Sequence, residues 1–137
     1  MAEMIRRVEY YYIMAPDKPG EGHRALATLK EAGVNLLAFI GFPKGNRSQL
    51  DFVPADPAAL LPVAKRARWK LSPRKIAFLV EGDDRVGALC DIAARLAAAK
   101  INVTASTAVT AGAGRYGAII WVKPRDVNKA AKALGIA

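Results

Sequence analysis

The sequence predicts an α+β protein made of two small repeats, each with an antiparallel sheet. The first observation is self-similarity, because residues 17–38 align on residues 84–105 without a gap when the chain is shifted by 67 positions. The second is that β-branched and aromatic runs alternate in the same order with amphipathic helices in both copies. The third is composition, since 137 residues that are 53% hydrophobic and 24% charged suffice for an ordinary apolar core.

The repeat is recognised by identical residues that fall in turns and on helix faces. The identical pairs are Asp17 and Asp84, Gly20 and Gly87, Ala27 and Ala94, Leu29 and Leu96, Ala32 and Ala99, Asn35 and Asn102, and Ala38 and Ala105. Further along, Pro54 and Asp56 meet Pro124 and Asp126 at a shift of 70, so the second copy has three extra residues in an intervening loop. We therefore expect one domain over residues 1–72 and another over residues 73–137.

Each copy reads as strand, helix, strand, strand, helix. The predicted strands are 8–14, 34–42 and 48–54 in the first copy, and 75–81, 101–110 and 115–123 in the second. The first helix of copy one should end at Gly33. Asp56 and Asp126 are predicted N-caps of the second helices. Pro62 should kink the first of these, over 57–68, or delay its start.

A fourth strand has room at 69–73 in the first copy, but the second copy stops soon after its last helix. The second repeat would then lack most of its last strand, which in a split βαβ sheet flanks the first. Strand 75–81 would be left at an edge of the sheet. Because exposed edges pair with other chains, we expect a homodimer.

The turn residues are similar to those of a known family. Asp-Lys-Pro-Gly at 17–20, followed by a helix ending Leu-Lys-Glu-Ala-Gly-Val-Asn-Leu at 29–36, resembles the ACT domain. The second copy resembles it more loosely, with Asp-Arg-Val-Gly at 84–87 and Leu-Ala-Ala-Ala-Lys-Ile-Asn-Val at 96–103. The resemblance covers nearly the whole chain and implies two ferredoxin-like βαββαβ modules in tandem. The first helix of copy one departs from the family pattern at Glu21, Gly22 and His23.

The resemblance also implies a function. ACT domains are regulatory modules that bind an amino acid or a related metabolite, commonly at an interface between paired domains, and they regulate enzymes of amino-acid metabolism. We therefore expect a non-catalytic sensor that needs no cofactor and no metal. Its predicted ligand-binding residues are Asp17, Pro19, Gly20, Asn35, Asp84, Gly87 and Asn102.

These residue types suit an amino acid on physical grounds. The two glycines stand at helix starts, where free N–H groups and the helix dipole favour a carboxylate. Each aspartate can meet an ammonium group, and each asparagine offers one acceptor and one donor. A purely structural interpretation competes with this one: the aspartates cap helices, the glycines satisfy turns, and the asparagines close helix-to-strand turns.

Other motifs are weaker. The run Gly112-Ala-Gly-Arg-Tyr-Gly117 matches G-x-G-x-x-G, but a strand follows it instead of a helix, so we predict a hairpin loop. His23, the only histidine, is expected on a helix surface, and no nucleophile lies near it in sequence. Cys90 stands alone and is expected to be a small core residue.

The formal net charge of +9 attracts anionic partners without specifying the fold. Six cations fall within 65–75, namely Lys65, Arg66, Arg68, Lys70, Arg74 and Lys75. With Trp69 among them, this basic segment suggests nucleic-acid binding as the alternative function, against a solvated connector between domains. The sequence shows no signal peptide and no run long enough to span a bilayer, so we expect a cytoplasmic protein with no membrane partner.

Overall fold

The computed structural model describes residues 3–137. It is an α+β fold with six strands in one antiparallel sheet and four helices. The strands are β1 (Met4–Pro16), β2 (Leu36–Lys44), β3 (Arg47–Pro54), β4 (Lys75–Asp83), β5 (Val103–Gly112) and β6 (Arg115–Val122). The helices are α1 (Glu21–Glu31), α2 (Pro57–Arg66), α3 (Ala88–Ala98) and α4 (Val127–Ala133), with a 3-10 turn at Pro124–Asp126.

Contacts divide the chain into two compact units. The N-terminal unit is Glu9–Lys75, and the C-terminal unit combines residues 3–8 with Ile76–Ala137. The division by contacts thus groups the first residues with the second half of the chain, whereas the sequence repeat suggests a boundary at 72/73. Strand β1 runs through both units.

In the N-terminal unit the strand order is β2-β3-β1. Tyr11 lies opposite Phe52 in the β1–β3 pairing, and Phe39 lies opposite Phe52 in the β2–β3 pairing. Alternate residues of β1 and β3 pack with the inward faces of α1 and α2, because strand side chains point to one face every second residue. The buried core comprises Tyr11, Ile13, Ala15, Ala25, Leu29, Val34, Leu50, Phe52, Leu60 and Val63.

In the C-terminal unit the order is β1-β4-β6-β5, with residues 4–8 of β1 beside β4. Its core packs Phe78 and Val80 of β4 with Ile92 and Leu96 of α3, and Ile5 of β1 packs against this cluster. Strand β4 therefore lies between two strands. The expectation that residues 75–81 form an exposed edge is wrong, because the start of the chain occupies the place of the missing last strand.

Of the predicted helix signals, the N-cap at Asp56 is confirmed in full. The Asp56 carboxylate accepts a hydrogen bond from the Ala58 amide at 3.1 Å and caps α2. Helix α2 begins at Pro57 and continues through Pro62, so of the two expected effects of this proline, a kink or a delayed start, the delayed start does not occur. Asp126 occupies the N-cap position of α4 but makes no side-chain cap hydrogen bond.

Residues 69–73 do not form the predicted strand. They run beside β1 with one backbone hydrogen bond, in which the Ser72 amide donates to the Tyr12 carbonyl at 2.9 Å. The Ser72 hydroxyl accepts the Tyr12 amide at 3.0 Å. A serine hydroxyl therefore takes a role that a backbone carbonyl would fill in a regular ladder.

Candidate functional site

The turn between β1 and α1 holds the predicted binding residues Asp17, Pro19 and Gly20, all exposed. Gly20 is the N-cap of α1 and has φ of 92°, a left-handed conformation that glycine adopts without steric cost. No side chain caps the helix, so its first-turn N–H groups face the turn without a side-chain acceptor. This is a suitable place for a ligand carboxylate.

Asp17 does not cap α1, which rules out the capping interpretation of this residue. One of its carboxylate oxygens accepts a hydrogen bond from the Ser48 hydroxyl of β3 at 3.1 Å. The bond fixes the carboxylate beside the start of α1, where it offers an acceptor for an ammonium group. Ser48 was missed from the sequence because it lies on β3, 31 residues from Asp17, and its counterpart in the repeat is not a serine.

The turn between β4 and α3 has the same backbone form. Gly87 is the N-cap with φ of 75°, again without a side-chain cap. The Asp84 amide donates to the Gly114 carbonyl at 2.9 Å, so the β5–β6 hairpin holds this turn in place. Asp84 is exposed, and it does not cap the helix either.

The charges around the two turns differ. Helix α1 begins with Glu21, whose side chain is only 12% exposed and lies 3.5 Å from the Arg24 guanidinium. The equivalent first residue of α3 is Ala88. At α3 the nearby Asp91 carboxylate instead accepts a hydrogen bond from Arg85 at 2.9 Å, which raises the pKa of that guanidinium. An anionic group approaching α1 thus meets a carboxylate on the first helical residue, which α3 lacks.

The predicted asparagines lie at the opposite end of the sheet from these turns. Asn35 directly precedes β2, whose first residue pairs with Pro54, while the β1–α1 turn lies where Lys44 pairs with Arg47. The two pairs are seven positions apart along β3, a distance of about 24 Å at the usual rise per residue. Asn35 is exposed, and its backbone carbonyl accepts the Ala55 amide at 2.9 Å.

The same separation holds in the C-terminal unit. Asp83 pairs with Arg115 at the turn end, whereas Val103, next to the exposed Asn102, pairs with Val122 at the other end. Within one unit, therefore, the aspartate–glycine turn and the asparagine cannot contact the same amino acid. The structure brings Asp17 together with Gly20, and Asp84 with Gly87, but it brings neither pair to the asparagine of its own unit.

Three other sequence predictions are settled by position. His23 is exposed on α1, and residues 112–114 form the tip of the β5–β6 hairpin, both as predicted. The prediction of a buried Cys90 is wrong, because the side chain is exposed. Helix α3 buries Ala88, Ile92 and Leu96, and Cys90 lies off that face.

The basic segment does not present Trp69 as a stacking surface for bases. Its indole stacks on Phe52 with ring centroids 5.4 Å apart and planes 8° from parallel, as a partly buried addition to the N-terminal core. Arg74 lies 4.0 Å from Glu9. This arrangement resembles the solvated connector more than an aromatic platform for nucleic acid.

Within residues 3–137 no group of three or more His, Cys, Asp or Glu side chains could hold a metal ion. None of the helices in that range is both long and apolar enough to cross a membrane.

No protein-family model matches this sequence, and no curated protein sequence matches it. Solved structures do. A crystal structure of a protein from Bacteroides thetaiotaomicron is similar with a TM-score of 0.82 at 15% identity, covering 96% of this chain and 88% of that one. The regulatory subunit of aspartate kinase from Thermus thermophilus is similar with a TM-score of 0.62 at 18% identity, covering 98% and 96%.

Another similar structure holds the aspartokinase alpha and beta subunits, with a TM-score of 0.63 at 17% identity, covering 98% of this chain and 95% of that one. At these identities the likeness concerns the fold alone. The chain has the ACT-like α+β fold of these structures along nearly its whole length.

Proposed function

We propose that this chain is a non-catalytic regulatory protein that binds an amino acid or a related metabolite. The observation that carries the proposal is the exposed turn before α1 and α3, where a helix start without a side-chain cap lies beside an aspartate. Such a turn offers N–H donors to a carboxylate and an acceptor to an ammonium group within one small region. The ACT-like fold, shared with subunits described as regulatory for aspartate kinase, supports the same role.

The proposal includes two ACT-like repeats, with the ligand at an interface between domains or subunits. Because the aspartate and asparagine of one unit are about 24 Å apart, a ligand that contacts both residue types must take them from different units or different copies. The regulated partner would be an enzyme of amino-acid metabolism, and the compartment the cytoplasm.

Thermal unfolding in the presence of each common amino acid tests the proposal. A ligand at 100 times its Kd stabilises the native state by about 2.7 kcal/mol, which raises the Tm of a domain this size by roughly 5–10 °C. We expect such a rise with one amino acid or a small group of them. If none of them raises the Tm at millimolar concentration, the proposal is wrong.

Variants at the two ends of each unit locate the ligand. Asp17→Asn and Asp84→Asn remove the proposed ammonium acceptor, and Asn35→Ala and Asn102→Ala remove the amide at the far end. We expect the aspartate variant of the binding unit to lose the shift. A shift that survives in all four variants would place the ligand elsewhere.

The difference between Glu21 and Ala88 gives a further test of the carboxylate position. Ala88→Glu places at α3 the acidic residue that α1 already has, and should weaken carboxylate binding at that turn by repulsion. Glu21→Ala is the matched change in the other unit and should leave binding equal or stronger. The reverse ranking would contradict the assignment of the ligand carboxylate to the helix start.

A further inference from the structure

The carboxylate of Glu3 lies between two donors of the C-terminal unit, one residue before β1 begins. Each of its two oxygens has its own partner. One oxygen accepts a hydrogen bond from the Tyr116 hydroxyl at 3.0 Å, and the other lies 3.9 Å from the Arg95 guanidinium. A neutral donor and a cation that divide between the two oxygens in this way suit any carboxylate, whether or not it belongs to the chain.

A glycine makes room for this carboxylate. Gly82 lies opposite Tyr116 in the β4–β6 pairing. A Cβ at Gly82 would lie 2.9 Å from the Glu3 Cγ and 3.0 Å from the Tyr116 Cε1, too close for both side chains to stay in place. We call the space enclosed by Gly82, Arg95 and Tyr116 the carboxylate cradle.

Tyr116 keeps its proton and is therefore a permanent donor in the cradle. The residue belongs to the apolar core of its unit and is only 6% exposed. Burial raises the pKa of Tyr116 to about 12, and the hydrogen bond to Glu3 adds to the shift. If Glu3 left the cradle, the hydroxyl would lose this acceptor. Because an unsatisfied donor costs free energy, the cradle then favours another acceptor in the same place.

The N-terminal unit has no such cradle. At the repeat shift of 67 positions, Gly82 corresponds to Ala15, which carries a Cβ. Arg95 corresponds to Thr28, which has no charge. Ser48 lies opposite Ala15, in the place that the tyrosine takes in the other unit. The cradle is therefore not a requirement of the fold that the two copies share.

Glu3 is only loosely held in the cradle. It lies outside the strand, next to Met4, which is 61% exposed. The Glu3 side chain is 21% exposed and the Arg95 side chain 42% exposed, so solvent reaches the ion pair. An ion pair that solvent reaches adds little stability. A dissolved carboxylate can therefore compete with Glu3 for the same two donors.

We propose that Gly82, Arg95 and Tyr116 form a binding site for a small free carboxylate, which Glu3 occupies in the unliganded protein and from which a ligand displaces it. The space that the Glu3 carboxyl fills holds one carboxylate and the carbon attached to it. Gly82 comes two residues before Asp84, so the cradle adjoins the β4–α3 turn. An amino acid at that turn could place its carboxylate in the cradle, a step that rests on the proposed function.

Acetate tests the site, because it replaces the atoms that Glu3→Ala removes. In the full-length Glu3→Ala variant, sodium acetate should raise the Tm saturably, by about 3–5 °C at ten times its Kd. Sodium chloride at equal ionic strength should not do so. In the same Tm titration the wild type should bind acetate at least about tenfold more weakly, because the tethered Glu3 competes at a high effective concentration.

Two further variants separate binding in the cradle from a general effect of acetate. Glu81→Ala is the matched control, since it removes the carboxylate of another ion pair in the same unit, 3.8 Å from Arg6. It should gain no response to acetate. Glu3→Ala combined with Tyr116→Phe keeps the aromatic ring but loses the hydroxyl donor, and its acetate Kd should rise at least about tenfold.

The proposal is wrong if acetate raises the Tm of Glu3→Ala no more than that of Glu81→Ala, or equally well after Tyr116→Phe. A wild type that binds acetate as tightly as Glu3→Ala would show that Glu3 does not occupy the site.

Amino acids give a separate result. Any amino acid that raises the wild-type Tm should bind Glu3→Ala at least about tenfold more tightly, and equal affinity would place its carboxylate outside the cradle. If no amino acid binds either protein, the proposed function fails, while the acetate titrations still decide whether the cradle is a carboxylate site.

Discussion

Two polar side chains are buried in the N-terminal unit, on the face of β3 opposite its apolar core. Gln49 is 8% exposed and Asp51 is 4% exposed, and the Gln49 amide donates to the Asp51 carboxylate at 2.9 Å. Burial raises the pKa of Asp51 above its usual range, and the Gln49 bond and the charges of Lys75 and Lys44 lower it in part. Burial, followed by the Asp51 charge, raises the pKa of Tyr10 to about 12.

These shifts give a pH-dependent stability. A carboxyl group whose pKa is raised on folding destabilises the native state above the folded pKa, and the penalty disappears as the pH falls to the unfolded value. We expect Asp51→Asn to raise the Tm at pH 8 and to lose this advantage below the ordinary carboxyl pKa. Absorbance titration should also show a lower pKa for Tyr10 in the variant, because one cause of its shift is gone.

Glu31→Gln, at an exposed residue of α1, is the control and should show neither effect. A difference in Tm between Asp51→Asn and the wild type that stays constant with pH would mean that the Asp51 charge does not destabilise the fold.

The ends of the helices show which helix termini can be inferred from the sequence. Gly33 was predicted to end α1, and it takes φ of 73° just beyond it. At the equivalent place after α3, Lys100 takes φ of 60°, although lysine is sterically disfavoured there. The residue type of Lys100 does not predict this left-handed conformation. The chain adopts it because the helix must turn back into β5 at that place, with the Ile101 amide donating to the Leu96 carbonyl.

The two residues should respond to substitution in opposite directions. Lys100→Gly removes the steric cost and should raise the free energy of unfolding by up to about 1 kcal/mol. Gly33→Ala should lower it by about 1 kcal/mol, through backbone conformation alone, since a Cβ at that position meets no atom within 4 Å. Denaturant titration measures both changes.

Lys100→Ala is the matched control, because it keeps a Cβ in the left-handed conformation while removing the charge. If it stabilises the protein as much as Lys100→Gly, the effect belongs to the side chain and not to the backbone.

Both units depend on β1, the strand whose bounds the sequence predicted least completely. The β-branched and aromatic run predicted β1 from residue 8 and correctly marked it as a strand, but the strand begins at Met4. A pattern along one strand reveals which residues are buried without revealing which strand they pair with. Here residues 3–8 pack with a segment more than 70 positions away, and the Tyr116 hydroxyl donates to the Glu3 carboxylate at 3.0 Å.

The sequence likewise predicted the local turns of the candidate site but not its contacts between distant segments. The glycine turns follow from local sequence, and their positive φ values agree with it. The Asp17–Ser48 bond joins the turn after β1 to strand β3, 31 residues along the chain, so no local pattern contains it. Placing Asp17 and Asn35 in one site overlooked that one helix separates them, since a strand–helix–strand connection carries the chain to the opposite end of a sheet.

Removing the first eight residues should destabilise the C-terminal unit more than the N-terminal one. Each unit contains one of the two tryptophans, Trp69 and Trp121, so Trp69→Phe and Trp121→Phe backgrounds report the units separately. In the shortened chain we expect the Trp121 transition to move to lower denaturant, because β4 loses a neighbouring strand.

Residues 3–8 appended after Ala137 should restore that transition. The Arg7 side chain donates to the Ala137 carbonyl at 3.0 Å, so a linker of about six Gly and Ser residues can reach the start of the strand. An appended segment with the same residues in scrambled order is the control. Equal loss in both tryptophan transitions, or no rescue, would contradict a role confined to the C-terminal unit.

The shared strand also sets the order in which the chain can fold during synthesis. Residues 3–8 leave the ribosome before residues 9–137, and their partners in β4 and β6 emerge only after the intervening N-terminal unit has been made. The N-terminal unit can therefore fold while the chain is still growing, with the first half of β1 unpaired. Completing the C-terminal unit then requires closing a loop of more than 100 residues between Glu3 and Tyr116, a non-local step that should make this unit the slower of the two to form.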